Sequence, residues 1–235
     1  MDNMKLSIIL PCYNEEKNIP LILAKFSEII RGDNIELILV NNGSTDDSGV
    51  LLDKLLPKYS FARSVEVDVN QGYGNGITQG LKKSKGEFIC YTHADLQTNP
   101  YDVLKALEII ENQDNPKSCF IKGNRKGRPF SDQIFTVGMS IFETIYLGVN
   151  LWDINAQPNL FHKDFFEKLE NIPKDFSLDL YFLYMAYKKN LRIIRFDVEF
   201  PERIHGESKW NTGIISKWKF IKRTLSFSFK LKKEL

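Results

Sequence analysis

The chain has 235 residues, 43% of them hydrophobic and 26% charged, and a net charge of +2. This is length for one large domain or two small ones with a real core, an ordinary globular composition, and a charge balance that gives no footprint for nucleic acid. Cys12, Cys90 and Cys119 lie far apart in or beside apolar runs, which argues for reduced thiols in a cytoplasmic protein rather than a disulfide framework, and three histidines are too few for a His-rich metal cluster. The opening MDNMKLSIILPCYNEE turns acidic too soon for a signal peptide, and no apolar run approaches the roughly 18 residues of a membrane helix.

The first half alternates between two periodicities. KLSIILP (5–11) reads as a buried strand. NIPLILAKFSEII (18–30) places Ile19, Ile22, Leu23, Phe26 and Ile30 at helical spacing. IELILV (35–40) is a second strand, and DDSGVLLDKLL (46–56) a short helix capped by Ser44, Thr45 or Asp46. SVEVDV (64–69) alternates like a strand, and GNGITQGLKKS (74–84) is a helix after a glycine-rich turn. A strand at 87–92, a helix at 101–112 and a strand at 118–123 follow. Beyond residue 128 the spacing predicts a helix over 131–152, a loop, short strand and helix start over 153–166, an aromatic helix over 177–190 and a strand over 191–203.

This order predicts an α/β fold with a mainly parallel sheet, right-handed crossovers and helices on both faces. Ligands in such sheets bind beyond the carboxyl ends of the strands. Those ends read PCYNEE (11–16), NNGSTDD (41–47), NQGYGNG (70–76), THADLQ (92–97) and GNRKGR (123–128), all polar or glycine-rich. In extended chain, His93, Asp95 and Gln97 fall on one side, which suits either a metal or phosphate site or an ordinary polar loop. NQGYGNG either brings backbone amides close to a ligand or makes a tight turn into a helix.

SIILPCYNEEKNI, LILVNNGSTDDS, NQGYGNGITQGLKKSKGEFICYTHADLQTNP, FIKGNRKGR and PERIHGESKW, in this order, resemble the inverting glycosyltransferases of family 2, and among them the dolichyl- or polyprenyl-phosphate sugar transferases. The resemblance covers roughly residues 5–210 and implies the GT-A fold over 1–210, followed by a basic, aromatic tail over 211–235. It implies a nucleotide diphosphate sugar as donor, touched by Pro11, Tyr13, Asn14, Glu15, Asn42, Gly72, Gly76, Ala94, Asp95 and Arg125. Tyr13 also suits an aromatic cap on the core. Where the family carries a carboxylate pair after the second strand, this chain has Asn41 and Asn42, so the pocket is expected to lose charge. The family's Asp-x-Asp-x-Gln becomes His93-Ala94-Asp95-Leu96-Gln97, with His93, Asp95 and Gln97 as the implied ligands of Mg²⁺ or Mn²⁺.

The resemblance further implies a phosphate grip from Arg203, Ser208 and Lys209, hinged at Gly206, and contacts from Asn155 and Gln157 to the sugar or acceptor. Arg125 is expected to face phosphate. Asp95, Asp153, Asp179, Arg203 and Lys209 form the catalytic set, with Asp179 also readable as a surface charge or a salt bridge to Lys174 or Arg203. The expected acceptor is a lipid phosphate met at the inner face of the membrane; transfer to a glycan hydroxyl and a catalytically silent GT-A-like binding protein are the alternatives. Residues 216–235 carry seven Lys/Arg and one Glu among large apolar residues, which suits peripheral contact with anionic lipid or a helix packed on its own domain or on a partner.

Overall fold

The computed structural model describes residues 4–127, 130–201 and 214–234; the side chains of 130–132, 134, 135, 214–220 and 234 are outside the description. Arg203, Gly206, Ser208, Lys209 and Arg128 therefore lie outside the described residues.

The strands are β1 (Leu6–Cys12), β2 (Ile35–Asn42), β3 (Ala62–Val67), β4 (Phe88–Tyr91), β5 (Cys119–Lys126), β6 (Asn159–His162) and β7 (Arg192–Glu199). The helices are α1 (Ile19–Ile29), α2 (Ser48–Leu55), α3 (Tyr73–Lys83), α4 (Pro100–Glu111), α5 (Phe130–Leu147), α6 (Lys163–Glu167), α7 (Leu178–Lys188) and α8 (Ile214–Glu234). One seven-stranded sheet runs in the order β3-β2-β1-β4-β6-β5-β7. Only β6 is antiparallel to its neighbours, so the other strands all end on one edge of the sheet.

The central strands are apolar on both faces because both are covered. Leu6, Ile8 and Leu10 of β1 pack with Ile22, Leu23 and Phe26 of α1 in one core. Ile9 points the other way, into a core with Ile77 of α3, Phe161 of β6 and Phe182 of α7. All three cysteines are buried and free.

Several boundaries differ from the sequence pattern for local reasons. Asp47 holds the N-cap position of α2 without a side-chain capping bond, and Asp46, among the expected caps, accepts from the Ser48 amide at 3.0 Å. The helix expected over 131–152 stops at Leu147, because Gly148 takes φ 73° and turns the chain out. At α4, Asn99 accepts from the Tyr101 amide at 3.1 Å and Pro100 occupies the first helical position. Within the tail, Ile214–Glu234 form α8, on which Leu231 is buried and Ser228 meets Glu143 of α5.

Candidate active site

The carboxyl edge of the sheet carries many of the described residues singled out from sequence, and they are held there by hydrogen bonds to neighbouring loops and strands. After β1, Asn14 adopts φ 58° and ties two strand ends together. Its amide donates to Thr45 Oγ1 at 3.2 Å and accepts from the Thr45 amide at 2.8 Å, and its own N–H donates to Ser44 Oγ at 3.1 Å. Glu15 donates its N–H to Ser48 Oγ at 2.9 Å and accepts from Asn18 at 2.6 Å. Tyr13 is half-buried between these contacts, and Pro11 pairs with Val40 one residue before the edge.

Register places Asn41 opposite Glu66 of β3. Asn41 Nδ2 donates to Glu66 Oε2 at 2.8 Å, and Asn42 Nδ2 donates to the Gly72 carbonyl at 3.0 Å. Glu66 sets a carboxylate beside the two amides, and an amide at 41 can donate to it where an aspartate would repel it. Strand alternation in SVEVDV was the only signal for Glu66; which residue it faces depends on register.

The glycines after β3 answer to close packing. Gly72 sits at φ 114°, where a Cβ would collide with the Lys174 carbonyl, and a Cβ at Gly74 would strike the Pro173 carbonyl. The Asn75 amide donates to Lys174 O at 2.8 Å, and a Cβ at Gly76 would lie 2.9 Å from the Asn42 side chain.

The motif after β4 is not extended, contrary to the alternation expected over 93–97. The strand ends at Tyr91, Leu96 has φ 59°, and Asp95 Oδ1 accepts from the Gln97 amide at 3.1 Å. Thr92 and Thr98 close the loop through their hydroxyls at 2.8 Å. Ala94 and Asp95 are buried. Gln97 Nε2 donates to the Pro201 carbonyl at 2.9 Å, which ties the end of the motif to the chain after β7. The His93 ring packs against Tyr73, centroids 6.5 Å apart, and edge-on to Phe200 at 6.2 Å. Among the described residues, no three His, Cys, Asp or Glu side chains gather around one point. A carboxylate, an amide oxygen and an imidazole fit Mg²⁺ or Mn²⁺ only if phosphate oxygens complete the shell.

Arg125 does not stand open toward phosphate. Asp153 accepts its backbone N–H and its Nε at 3.0 Å each, and Nη2 as well; the two side chains are 8% and 7% exposed. Burial alone would raise the Asp153 carboxyl, but the Arg125 guanidinium overrides it and holds the group below the ordinary value. Phe200 lies under the guanidinium at 5.3 Å. Asp179 is neither a surface charge nor a partner of Lys174, which bonds Gln71 instead. It is buried, accepts from the Tyr91 hydroxyl at 2.9 Å, and is raised by burial against the opposing pull of Lys122.

Gln157 is fully buried; its Nε2 donates to the Tyr73 hydroxyl, and its Oε1 has no partner among the described residues. Asn155, two residues before it, is half-buried. Tyr73 stacks on Phe176 at 4.7 Å, and Arg223 of α8 lies 5.2 Å over the outer face of Phe176. Rings and cations thus run from α8 across the edge to Arg125.

Lys122 was missed from sequence. It is wholly buried and donates to the Ala156 carbonyl and to Asn159 Oδ1, both at 2.7 Å. Burial lowers its pKa to about 7, with Asp179 and Asp153 pulling the other way. A lysine inside the apolar run SCFIKG was the available signal.

The model of the family described as Glycosyl transferase family 2 matches residues 7–170, well over half of the chain. The chain is 26% identical over 212 residues to the dolichol-phosphate mannosyltransferase of Pyrococcus furiosus, covering 88% of this chain and 59% of that one. It is 25% identical over 224 residues to the dolichyl-phosphate β-glucosyltransferase of Dictyostelium discoideum, covering 86% and 68%. The chain thus spans somewhat over half the length of the Pyrococcus enzyme. Among solved structures, glucosyl-3-phosphoglycerate synthase of Mycobacterium tuberculosis in complex with UDP superimposes with a TM-score of 0.73 at 19% identity, over 96% of this chain and 80% of that one. The same synthase has been solved with Mn²⁺ and UDP-glucose. The fold is that of GT-A glycosyltransferases, and the chain belongs to glycosyl transferase family 2.

Proposed function

We propose that the chain moves a sugar from a nucleotide diphosphate sugar to a lipid phosphate of the polyprenyl type, with inversion at the anomeric carbon. An oxygen of the acceptor phosphate attacks that carbon on the face opposite the departing diphosphate; one C–O bond forms, one breaks, and the nucleoside diphosphate leaves with the electron pair.

One observation carries the choice of acceptor. A hydroxyl acceptor needs a carboxylate free to take its proton. Here Asp153 is neutralised by Arg125, and Asp179 is buried under the Tyr91 hydroxyl. An acceptor that is already anionic needs positioning and no base. The relatives named for dolichol phosphate support the same class.

On this reading the nucleotide lies over Pro11, Tyr13 and the Asn41–Glu66 corner, with Gly72, Gly76 and Ala94 as its close neighbours. Asp95 and the Gln97 amide oxygen, with His93 beside them, hold a divalent cation. When bound, that cation neutralises the charge growing on the diphosphate. Asn155 and Gln157 face the sugar, while Arg203, Ser208 and Lys209 grip phosphate. The segment 211–235 meets the bilayer that holds the acceptor.

Calorimetry of nucleotide diphosphate binding tests the donor half. Affinity should depend on Mg²⁺ or Mn²⁺ and vanish in Asp95→Ala. Equal affinity with and without chelator would remove the metal from the account.

A further inference from the structure

The second half of α5 is inverted. Its only acid beyond Asp132, Glu143, faces inward with Ser140, both buried. Its outward stripe is Gly138, Ile141, Phe142 and Ile145, with Ile141 52%, Phe142 37% and Ile145 77% exposed. A helix in contact with water normally shows the opposite pattern. The stripe continues onto α8. Phe142 stacks on Tyr146 at 5.7 Å, and Phe229, 49% exposed, meets Tyr146 edge-on at 5.0 Å.

The rim of this apolar surface is cationic. Residues 222, 226, 229 and 233 recur at helical spacing, so Lys222 and Lys233 flank Phe229 on the exposed stripe of α8. Lys232 reaches across to α5, with Nζ 4.3 Å from the Tyr146 ring and donating to the Tyr146 carbonyl at 2.7 Å. Between 221 and 233 there is no acidic residue, and Glu143 is withdrawn beneath the surface.

We infer that this joint face of α5 and α8, with Ile141, Phe142, Ile145 and Phe229 as its apolar centre and Lys222 and Lys233 at its rim, docks on an anionic lipid bilayer. Apolar side chains of this size reach the acyl boundary while lysines stay with the headgroups. A second copy of the chain is the poorer fit, because self-pairing would bring two rims of one sign together. The inference rests on the proposed lipid acceptor only for its choice of partner. It assigns the contact to α5 as much as to the basic tail.

Co-sedimentation of the full chain with vesicles tests it, using phosphatidylcholine mixed with phosphatidylglycerol and, separately, phosphatidylcholine alone. No polyprenyl phosphate is present, so failure would speak against the docking face and leave the acceptor assignment standing. The wild type should bind the anionic vesicles, less so at high salt. Ile141→Gln with Ile145→Gln, and separately Lys222→Gln with Lys233→Gln, should each weaken binding by roughly tenfold or more. All four side chains are solvent-exposed, so melting temperature and donor hydrolysis in solution should stay as in the wild type. Unchanged vesicle binding by the isoleucine pair overturns the inference. So does indifference to vesicles, which would assign the face to a protein partner, or a dimer in ultracentrifugation that the isoleucine pair dissolves.

Discussion

Lys122 shows what a single buried charge does at this sheet edge. Its ammonium joins β5 to the loop 153–158 by bonding Ala156 and Asn159, with Asp153 and Asp179 supplying counter-charge. Lys122→Met would take the partner from Asn159 Oδ1, a cost of about 1–3 kcal/mol offset in part by removing a desolvated charge, while the Ala156 carbonyl keeps the Asn159 Nδ2 donor at 3.3 Å. The pH dependence separates the two effects. The folded state releases the Lys122 proton near 7 and the unfolded state near 10.5, so the unfolded chain holds more protons between those values. Stability from this group therefore rises with pH through that window. Thermal melts should show a small deficit for Lys122→Met at about pH 6 and a larger one at about pH 9; a deficit independent of pH would mean that Lys122 is not depressed. At this scale the sequence named many of the right residues but not their partners. Asp153 and Arg125 were each read as facing ligand, and they face each other, because a pairing across 28 positions leaves no trace in local pattern.

At the scale of elements, α5 and α8 meet through a carboxyl and a hydroxyl. Ser228 Oγ lies 2.7 Å from Glu143 Oε2 and 2.9 Å from the Thr224 carbonyl, and one hydroxyl proton cannot serve both acceptors. Protonated, Glu143 donates to Ser228 and Ser228 donates to Thr224. Burial agrees, pushing Glu143 up to about 7. The stabilisation is complete below the unfolded value of 4.5 and is lost as pH rises through about 7. Glu143→Gln keeps a donor and an acceptor without the charge. It should melt with the wild type at about pH 5 and above it at about pH 8, by on the order of 1 kcal/mol. A variant less stable than wild type at both would show that the carboxylate is ionised and compensated. The helices themselves were legible, because apolar spacing, Pro100 and Gly148 are local signals. What α8 packs against was not, since a basic amphipathic pattern suits a lipid surface and a protein surface alike.

For the whole molecule, strand and helix alternation up to residue 123 was enough to read a parallel sheet with its ligand edge at the strand ends, and the sheet has that form. The insertion of antiparallel β6 between β4 and β5 was not legible, because four residues of apolar chain carry no information about their neighbours. Nor was the folding-back of the loop after β4, where a positive φ at Leu96 replaces extension. That edge assembles a nucleotide corner, a single motif carboxylate at Asp95 and a pair of acids already spent on Arg125 and Tyr91. On the proposed reading, such a site serves an acceptor bearing its own negative charge. The direct measurement supplies a range of labelled nucleotide diphosphate sugars with Mg²⁺ or Mn²⁺, offers a short polyprenyl phosphate and the matching polyprenol side by side, and follows the label into the lipid. Label is expected on the phosphate and none on the alcohol, with transfer abolished in Asp95→Ala. Label on the alcohol, or a donor consumed for a glycan hydroxyl while the lipid phosphate stays bare, would contradict it.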